Sequence, residues 1–138
     1  MYPLWKQFCI ILLLTSAGAA YSLLSGTAPL PWAEPEIGPG EVRLADAQGL
    51  DVIWVDARSR EAFLDGQIPG ALHFDSAQEA DSLLQIIEQW LEEPRMIVVY
   101  CSDASCGTSR KVADQLRENL PEAEIYSLKG GWQAWAER

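Results

Sequence analysis

The sequence predicts an α/β domain with a mainly parallel sheet, set behind one N-terminal membrane-spanning helix. Three observations predict it. Residues 7–33 hold no charge at all. Beyond them, short β-branched apolar runs alternate with segments of helical period, which is the pattern of a parallel sheet with crossover helices. The breaks between those segments fall at glycine, proline and capping residues.

The charge-free run, "FCIILLLTSAGAAYSLL" at its strongest, predicts a helix from about residue 5 to 27, roughly 34 Å long at 1.5 Å per residue. A hydrocarbon core of roughly 30 Å is matched by that length. Trp5 and Trp32 bracket the run as interfacial aromatics do, and Pro29 and Pro31 are expected to stop the helix. A cleaved signal peptide is the rival, since Ala17-Gly18-Ala19 has the small-x-small form of a cleavage site, and a buried soluble helix is a third reading. The run continues through "YSLLSG" past that site, which favours an uncleaved, single-pass anchor. Lys6 precedes it and acidic Glu34 and Glu36 follow it, so the positive-inside rule puts the domain on the periplasmic or extracytoplasmic side.

Residues 28–40, "APLPWAEPEIGPG", are dense in proline and glycine and read as an extended, semi-rigid linker. The organisation expected is therefore anchor 1–27, linker 28–40 and domain 41–138.

Within the domain, "DVIWVDARS" (51–59) reads as a buried strand with Asp56 at its carboxyl end. "SREAFLDGQ" (59–67) is a short helix capped by Ser59 and ended by Gly66. "IPGALHF" turns at Pro69-Gly70 into another short strand. In 76–93, Leu83, Leu84, Ile86, Ile87, Trp90 and Leu91 make an amphipathic helix, begun by Asp75 or Ser76 and stopped by Pro94. "RMIVVYC" (95–101) is apolar throughout, as a strand covered on both faces should be, with Cys101 its last residue. Residues 108–119 read as a helix capped by Thr108 or Ser109, with Val112, Ala113 and Leu116 facing inward. "AEIYSLKGG" gives a last strand and a glycine turn, and "WQAWAER" a closing helix whose Trp132 and Trp135 serve as core or loop-supporting aromatics.

The 138 residues suffice for one modest domain. Ten basic against twenty acidic side chains give a net charge of −10. Nucleic acid is thereby excluded as a partner, because no basic face offsets the repulsion. Three cysteines make no disulfide framework. Cys101, Cys106 and His73 complete no zinc-ligand spacing, and neither a metal nor a cofactor is implied.

In parallel sheets ligands bind beyond the carboxyl ends of the strands. Cys101 holds that position, before a loop and the start of a helix whose backbone N–H groups favour a thiolate. The competing reading makes Cys101 a small hydrophobe that closes a strand.

These pieces resemble a single rhodanese-homology domain over residues 41–138. "VIWVDARSREAFLDGQIPGALHF" resembles the family's first signature through Asp56, Arg58, Glu61, Phe63, Gly66, Ile68, Pro69, Gly70 and Ala71, with Gln67 in place of the usual histidine. "IVVYC" resembles the strand that carries the family's cysteine, and "LKGGWQAW" its closing signature. The resemblance implies a three-layer rhodanese-like fold. It also implies sulfurtransferase chemistry, in which Cys101 takes sulfane sulfur from a small donor such as thiosulfate and passes it to a thiol acceptor. Asp56 and Arg58 would brace the loop. That loop would comprise Ser102, Asp103, Ala104, Ser105, Gly107, Thr108, Ser109 and Arg110 around Cys106. It is two residues longer than the family's common Cys-x-x-Gly-x-Arg form, so that Thr108 holds the usual arginine position and Arg110 lies beyond it. Cys106 is the candidate resolving thiol for a Cys101 persulfide or sulfenate. Two alternatives stand beside the enzyme: a non-catalytic module docking a protein partner of unstated identity at the membrane, and a Cys101–Cys106 thiol–disulfide switch.

Overall fold

A computed structural model describes residues 4–26, 36–102 and 107–138. It divides into two units, Met1–Glu36 and Ile37–Arg138.

The first unit is one helix, α1 (Leu4–Leu24), with no buried residue. By length and composition it can cross a membrane. Thr15 and Ser16 donate their hydroxyls to carbonyls one turn back (3.0 and 2.8 Å), so these two mid-helix hydroxyls are satisfied within the helix. It ends before the prolines expected to stop it. A turn at Ser25–Gly26, with Gly26 at φ +67°, closes it first, a conformation glycine adopts without strain. Pro29 and Pro31 lie outside the described residues.

The second unit is a five-stranded sheet in the order β1-β5-β4-β2-β3, with every pairing parallel. Its strands are β1 (Glu41–Val42), β2 (Val52–Asp56), β3 (Leu72–His73), β4 (Met96–Tyr100) and β5 (Ile125–Leu128). Between them run α2 (Leu44–Ala47), α3 (Arg60–Asp65), α4 (Glu79–Glu92), α5 (Gly107–Asn119) and the closing α6 (Gly131–Ala136). Strand alternation sorts the core into two faces. Ile53, Val55, Ile97, Val99 and Ile125 pack with Ile86 of α4 and with Val112, Ala113 and Leu116 of α5. Val52, Val98, Tyr100 and Leu128 pack with Ala47 of α2, Ile68 and Ala71, joined by Trp54, Trp132 and Trp135. Three layers result, as the family resemblance implied.

Several local expectations shift. β4 ends at Tyr100, which leaves Cys101 as the first residue beyond the strand. α5 already includes Gly107, so Thr108 and Ser109 lie inside its first turn and do not cap it. Asp75 caps a 3-10 turn (Ser76–Gln78) by accepting from Ala77 N–H at 2.9 Å, and α4 follows that turn. Leu84 and Leu91, read as part of the buried stripe, are 54% and 64% exposed. They lie about 160° and 140° round the helix from Ile86, outside the stripe formed with Leu83, Ile87 and Trp90. β1 and α2 had no signal in the sequence, because two and four residues are too few to show a period.

Candidate active site

The carboxyl edge of the sheet is built around three strand ends. In register, Tyr100 pairs with Asp56 and Asp56 with His73. Ala57 N–H donates to the Tyr100 carbonyl (2.9 Å) and Phe74 N–H to that of Asp56 (2.8 Å), so the chain leaves each strand still tied to its neighbour.

Cys101 emerges from this edge and is 1% exposed. Its Sγ–H donates to Ser109 Oγ at 3.3 Å, and Ser109 is itself buried. The first turn of α5 is thus tied to the first residue beyond β4. Asp103, Ala104, Ser105 and Cys106 lie outside the described residues, and with them the separation of the two cysteines. Ser102, Gly107 and Thr108 are exposed.

On its backbone side Cys101 is held by α6. Trp132 N–H donates to the Cys101 carbonyl at 2.7 Å. Gly130 and Gly131 make that approach feasible, with φ +80° and +55° in succession. A side chain at either would be strained, and a Cβ at Gly130 would stand 3.0 Å from Ala134 Cβ.

Asp56 is fully buried and Arg58 nearly so, with 6% side-chain exposure. Arg58 grips the carboxylate with two forks, Nε to Oδ1 at 3.0 Å and Nη2 to Oδ2 at 2.6 Å, and reaches on to the Gly66 carbonyl at 2.5 Å. Burial works to lower the guanidinium's affinity for its proton, but the bonded carboxylate prevails and holds it above its ordinary value. The planar cation lies 4.2 Å from the Trp132 ring centroid and 5.5 Å from that of Tyr100. Tyr100 stacks on Trp132 at 6.2 Å, and its hydroxyl accepts from Ile68 N–H at 3.1 Å. Burial pushes the Tyr100 phenol well above its ordinary range. Asp56, Arg58, Trp132 and the Cys101 backbone therefore form one connected support.

Arg110 is turned elsewhere. It pairs with Glu41, which also accepts from Lys129 Nζ at 3.1 Å and from Gly38 N–H at 2.8 Å. The Gly38 amide, aided by Arg110 and Lys129, holds Glu41 at about 2, against the opposing effect of burial. Sequence reading overlooked this carboxylate. A lone glutamate after a Gly-Pro-Gly turn has no local pattern, and its cationic partners lie 69 and 88 residues away.

Residues 41–138 match the model of the rhodanese-like domain, and the chain belongs to that family. Among its relatives, the thiosulfate sulfurtransferase GlpE of Pseudomonas aeruginosa is 30% identical over 99 residues, which cover 72% of this chain and 81% of the relative. The same-named protein of Coxiella burnetii is 29% identical over 85 residues, covering 62% and 72%. In fold the chain resembles the As-Sb reductase from Leishmania major (TM-score 0.58, 16% identity, 70% of this chain and 76% of that one). It also resembles the BH2092 protein from Bacillus halodurans (TM-score 0.53, 24% identity, 70% and 71%).

Proposed function

We propose that the protein is a membrane-anchored sulfurtransferase in which Cys101 carries sulfane sulfur as a persulfide. The observation that carries the reading is the contact between Cys101 Sγ and Ser109 Oγ in the first turn of α5. A hydroxyl at this distance can turn about and donate to a thiolate, and the amides of the helix start add to that stabilisation. Names of the relatives as thiosulfate sulfurtransferases support the same chemistry.

In the first step the Cys101 thiolate attacks the outer sulfur of thiosulfate. A cysteinyl S–S bond forms, the bond to the sulfonate sulfur breaks, and sulfite leaves with the electron pair. In the second, an acceptor thiolate attacks the outer persulfide sulfur and Cys101 departs as a thiolate. Asp56 and Arg58 brace the site through Trp132 and take no part in bond making. Cys106, five residues on, is the resolving thiol that would gate the site in an oxidising compartment. Residues 1–27 anchor the domain 41–138 through the linker 28–40, with the domain on the extracytoplasmic side.

A second reading has one observation in its favour. Cys101 is 1% exposed, as in a module that docks a partner and does no chemistry. One experiment separates the two. The reduced full-length protein, in detergent, is treated with thiosulfate and digested under thiol-trapping conditions. A peptide carrying Cys101 with one added sulfur atom supports the enzyme. No uptake at Cys101, with either thiosulfate or a polysulfide as donor, supports the docking module.

A further inference from the structure

β2 has five residues and β3 only two, and they meet only at Val55–Leu72 and Asp56–His73. The amino-terminal part of β2 therefore has a strand on one side alone. Ala57 N–H bonds to the Tyr100 carbonyl of β4, and Phe74 N–H to the Asp56 carbonyl. Odd residues of β2 thus address β4, and even ones address the β3 side. Before the β3 pairing begins, this leaves the N–H of Trp54 and both backbone groups of Val52 without a backbone partner among the described residues. In a longer β3, Gly70 would supply those partners. Instead Ala71 N–H bonds back to the Ile68 carbonyl at 3.0 Å, and Gly70, at φ +78°, turns the chain away from β2. Val52 is buried, and backbone groups of a buried residue are nearly always paired.

A slot of about 280 Å³ runs along this edge, lined by Val52 and Trp54, by the Pro69-Gly70 turn, by Leu72 and by Gln89 of α4. The turn is flanked by Ile68 and Ala71, which pack on one face of the sheet, while α4 packs on the other. The slot therefore lies in the plane of the sheet, in line with β3. At about 3.3 Å per residue, the open stretch of β2 from Val52 to Trp54 is roughly 10 Å long, room for three residues of an extended chain. At its amino end Arg95 also lines the slot and is shared by Asp51 (2.6 Å) and Glu93 (3.5 Å). Two carboxylates on one cation leave that end negative. Arg95 Nε is buried and has no partner among the described residues, an unused donor at the same end.

A row of backbone donors and acceptors at strand spacing recognises another backbone. We infer that the slot receives an extended, basic segment of a partner protein, which joins the sheet in line with β3. The segment's backbone accepts from Trp54 N–H and donates to the Val52 carbonyl. A lysine or arginine beside Asp51 and Glu93 answers the negative end, and the chain's net charge of −10 draws such a partner in. The slot lies at the amino end of β2, whereas Cys101 follows the carboxyl end of β4. Docking there leaves the thiol uncovered and does not depend on its chemistry.

The test uses the full-length protein in detergent and a pool of capped hexapeptides, with lysine at both ends and valine, isoleucine, threonine or tyrosine between. Fluorescence anisotropy selects the tightest binder, and NMR reads amide hydrogen exchange with and without it. In the free protein Trp54 N–H is expected to exchange about tenfold faster than the N–H groups of Ile53 and Val55, and the bound peptide is expected to slow it about tenfold. Methylating the peptide nitrogens one at a time should weaken binding about fivefold at alternate positions and little between them, since only every second N–H faces β2. Glutamate in place of the end lysines should weaken it about tenfold. Gln89→Trp, which fills the slot, should abolish binding, and the methylated peptides keep the test valid if that variant fails to fold. No binder in the pool, a binder that leaves Trp54 exchange unchanged, or indifference to methylation overturns the inference. So does protection of Trp54 N–H that rises with protein concentration in the absence of peptide, which would assign the slot to a second copy of this chain.

Discussion

The backbone N–H of Trp132 bonds to the Cys101 carbonyl at 2.7 Å while the ring of the same tryptophan lies 4.2 Å from the Arg58 guanidinium. One residue of the last helix therefore joins the buried ion pair to the cysteine. Trp132→Ala removes the ring but keeps the N–H. It should destabilise the domain by about 2–3 kcal/mol, below the usual loss for a fully buried aromatic because the ring is only partly buried. Trp132→Phe, which keeps a ring against Arg58, should lose less than half of that. Urea unfolding followed by circular dichroism measures both. Equal losses would show that the Arg58 contact contributes nothing.

Asp56 is fully buried, and Arg58 is its cation. Arg58→Met leaves an uncompensated carboxylate in the core and should cost about 3–5 kcal/mol. Arg58→Lys should recover little of it, since an ammonium cannot make the paired fork and still reach Gly66. The double variant Asp56→Leu/Arg58→Met should be more stable than Arg58→Met alone, because no charge is then stranded. Denaturant midpoints of the three proteins check the order, and a double variant less stable than the single one contradicts it.

Much of this support was legible in the sequence. Asp56, Arg58 and Trp132 stand inside motifs, and β2, β4, α4 and α5 carry periods long enough to read. What could not be read depends on distance along the chain. The bond from Ile68 N–H to the Tyr100 hydroxyl spans 32 residues, and the Glu41–Lys129 pair spans 88. Thr108 or Ser109 is the cap that the sequence predicts, because a hydroxyl residue before a helical period normally is one, but Ser109 lies inside α5. Its hydroxyl oxygen instead accepts from Cys101 Sγ across eight residues, a use that only the folded sheet edge creates.

That hydroxyl gives the next prediction. Ser109→Ala removes the oxygen 3.3 Å from Cys101 Sγ and leaves the volume of the first turn of α5 nearly unchanged. A hydrogen bond to a charged group is worth roughly 1.5 kcal/mol or more, which is about tenfold in an equilibrium. Iodoacetamide should therefore alkylate Cys101 about tenfold more slowly at neutral pH in the variant, as its thiolate becomes scarcer. Ser109→Thr, which keeps the hydroxyl, should restore most of the rate. Wild-type reactivity in Ser109→Ala would remove the hydroxyl from the proposed chemistry.

Glu41 ties the start of the sheet to α5 and to the end of β5 through Arg110 and Lys129. Its pKa is lowered to about 2 from an ordinary 4.5, first by the Gly38 amide and then by the two cations, against burial. A carboxyl depressed by folding stabilises the native state above its unfolded value and loses that contribution as pH falls through its folded value. The stabilisation from Glu41 should therefore be complete above about pH 5 and vanish towards pH 2. The shift sets an upper bound of about 3 kcal/mol, and screening at the exposed Arg110 reduces it, so about 1–2 kcal/mol is expected. Glu41→Gln keeps the shape and an acceptor oxygen but not the charge. Its unfolding free energy should lie below the wild type by that amount at pH 7, and the two should converge as the buffer is taken from pH 5 to pH 2. A difference that persists unchanged at pH 2 would mean that the shape of the side chain, and not its charge, holds the clasp.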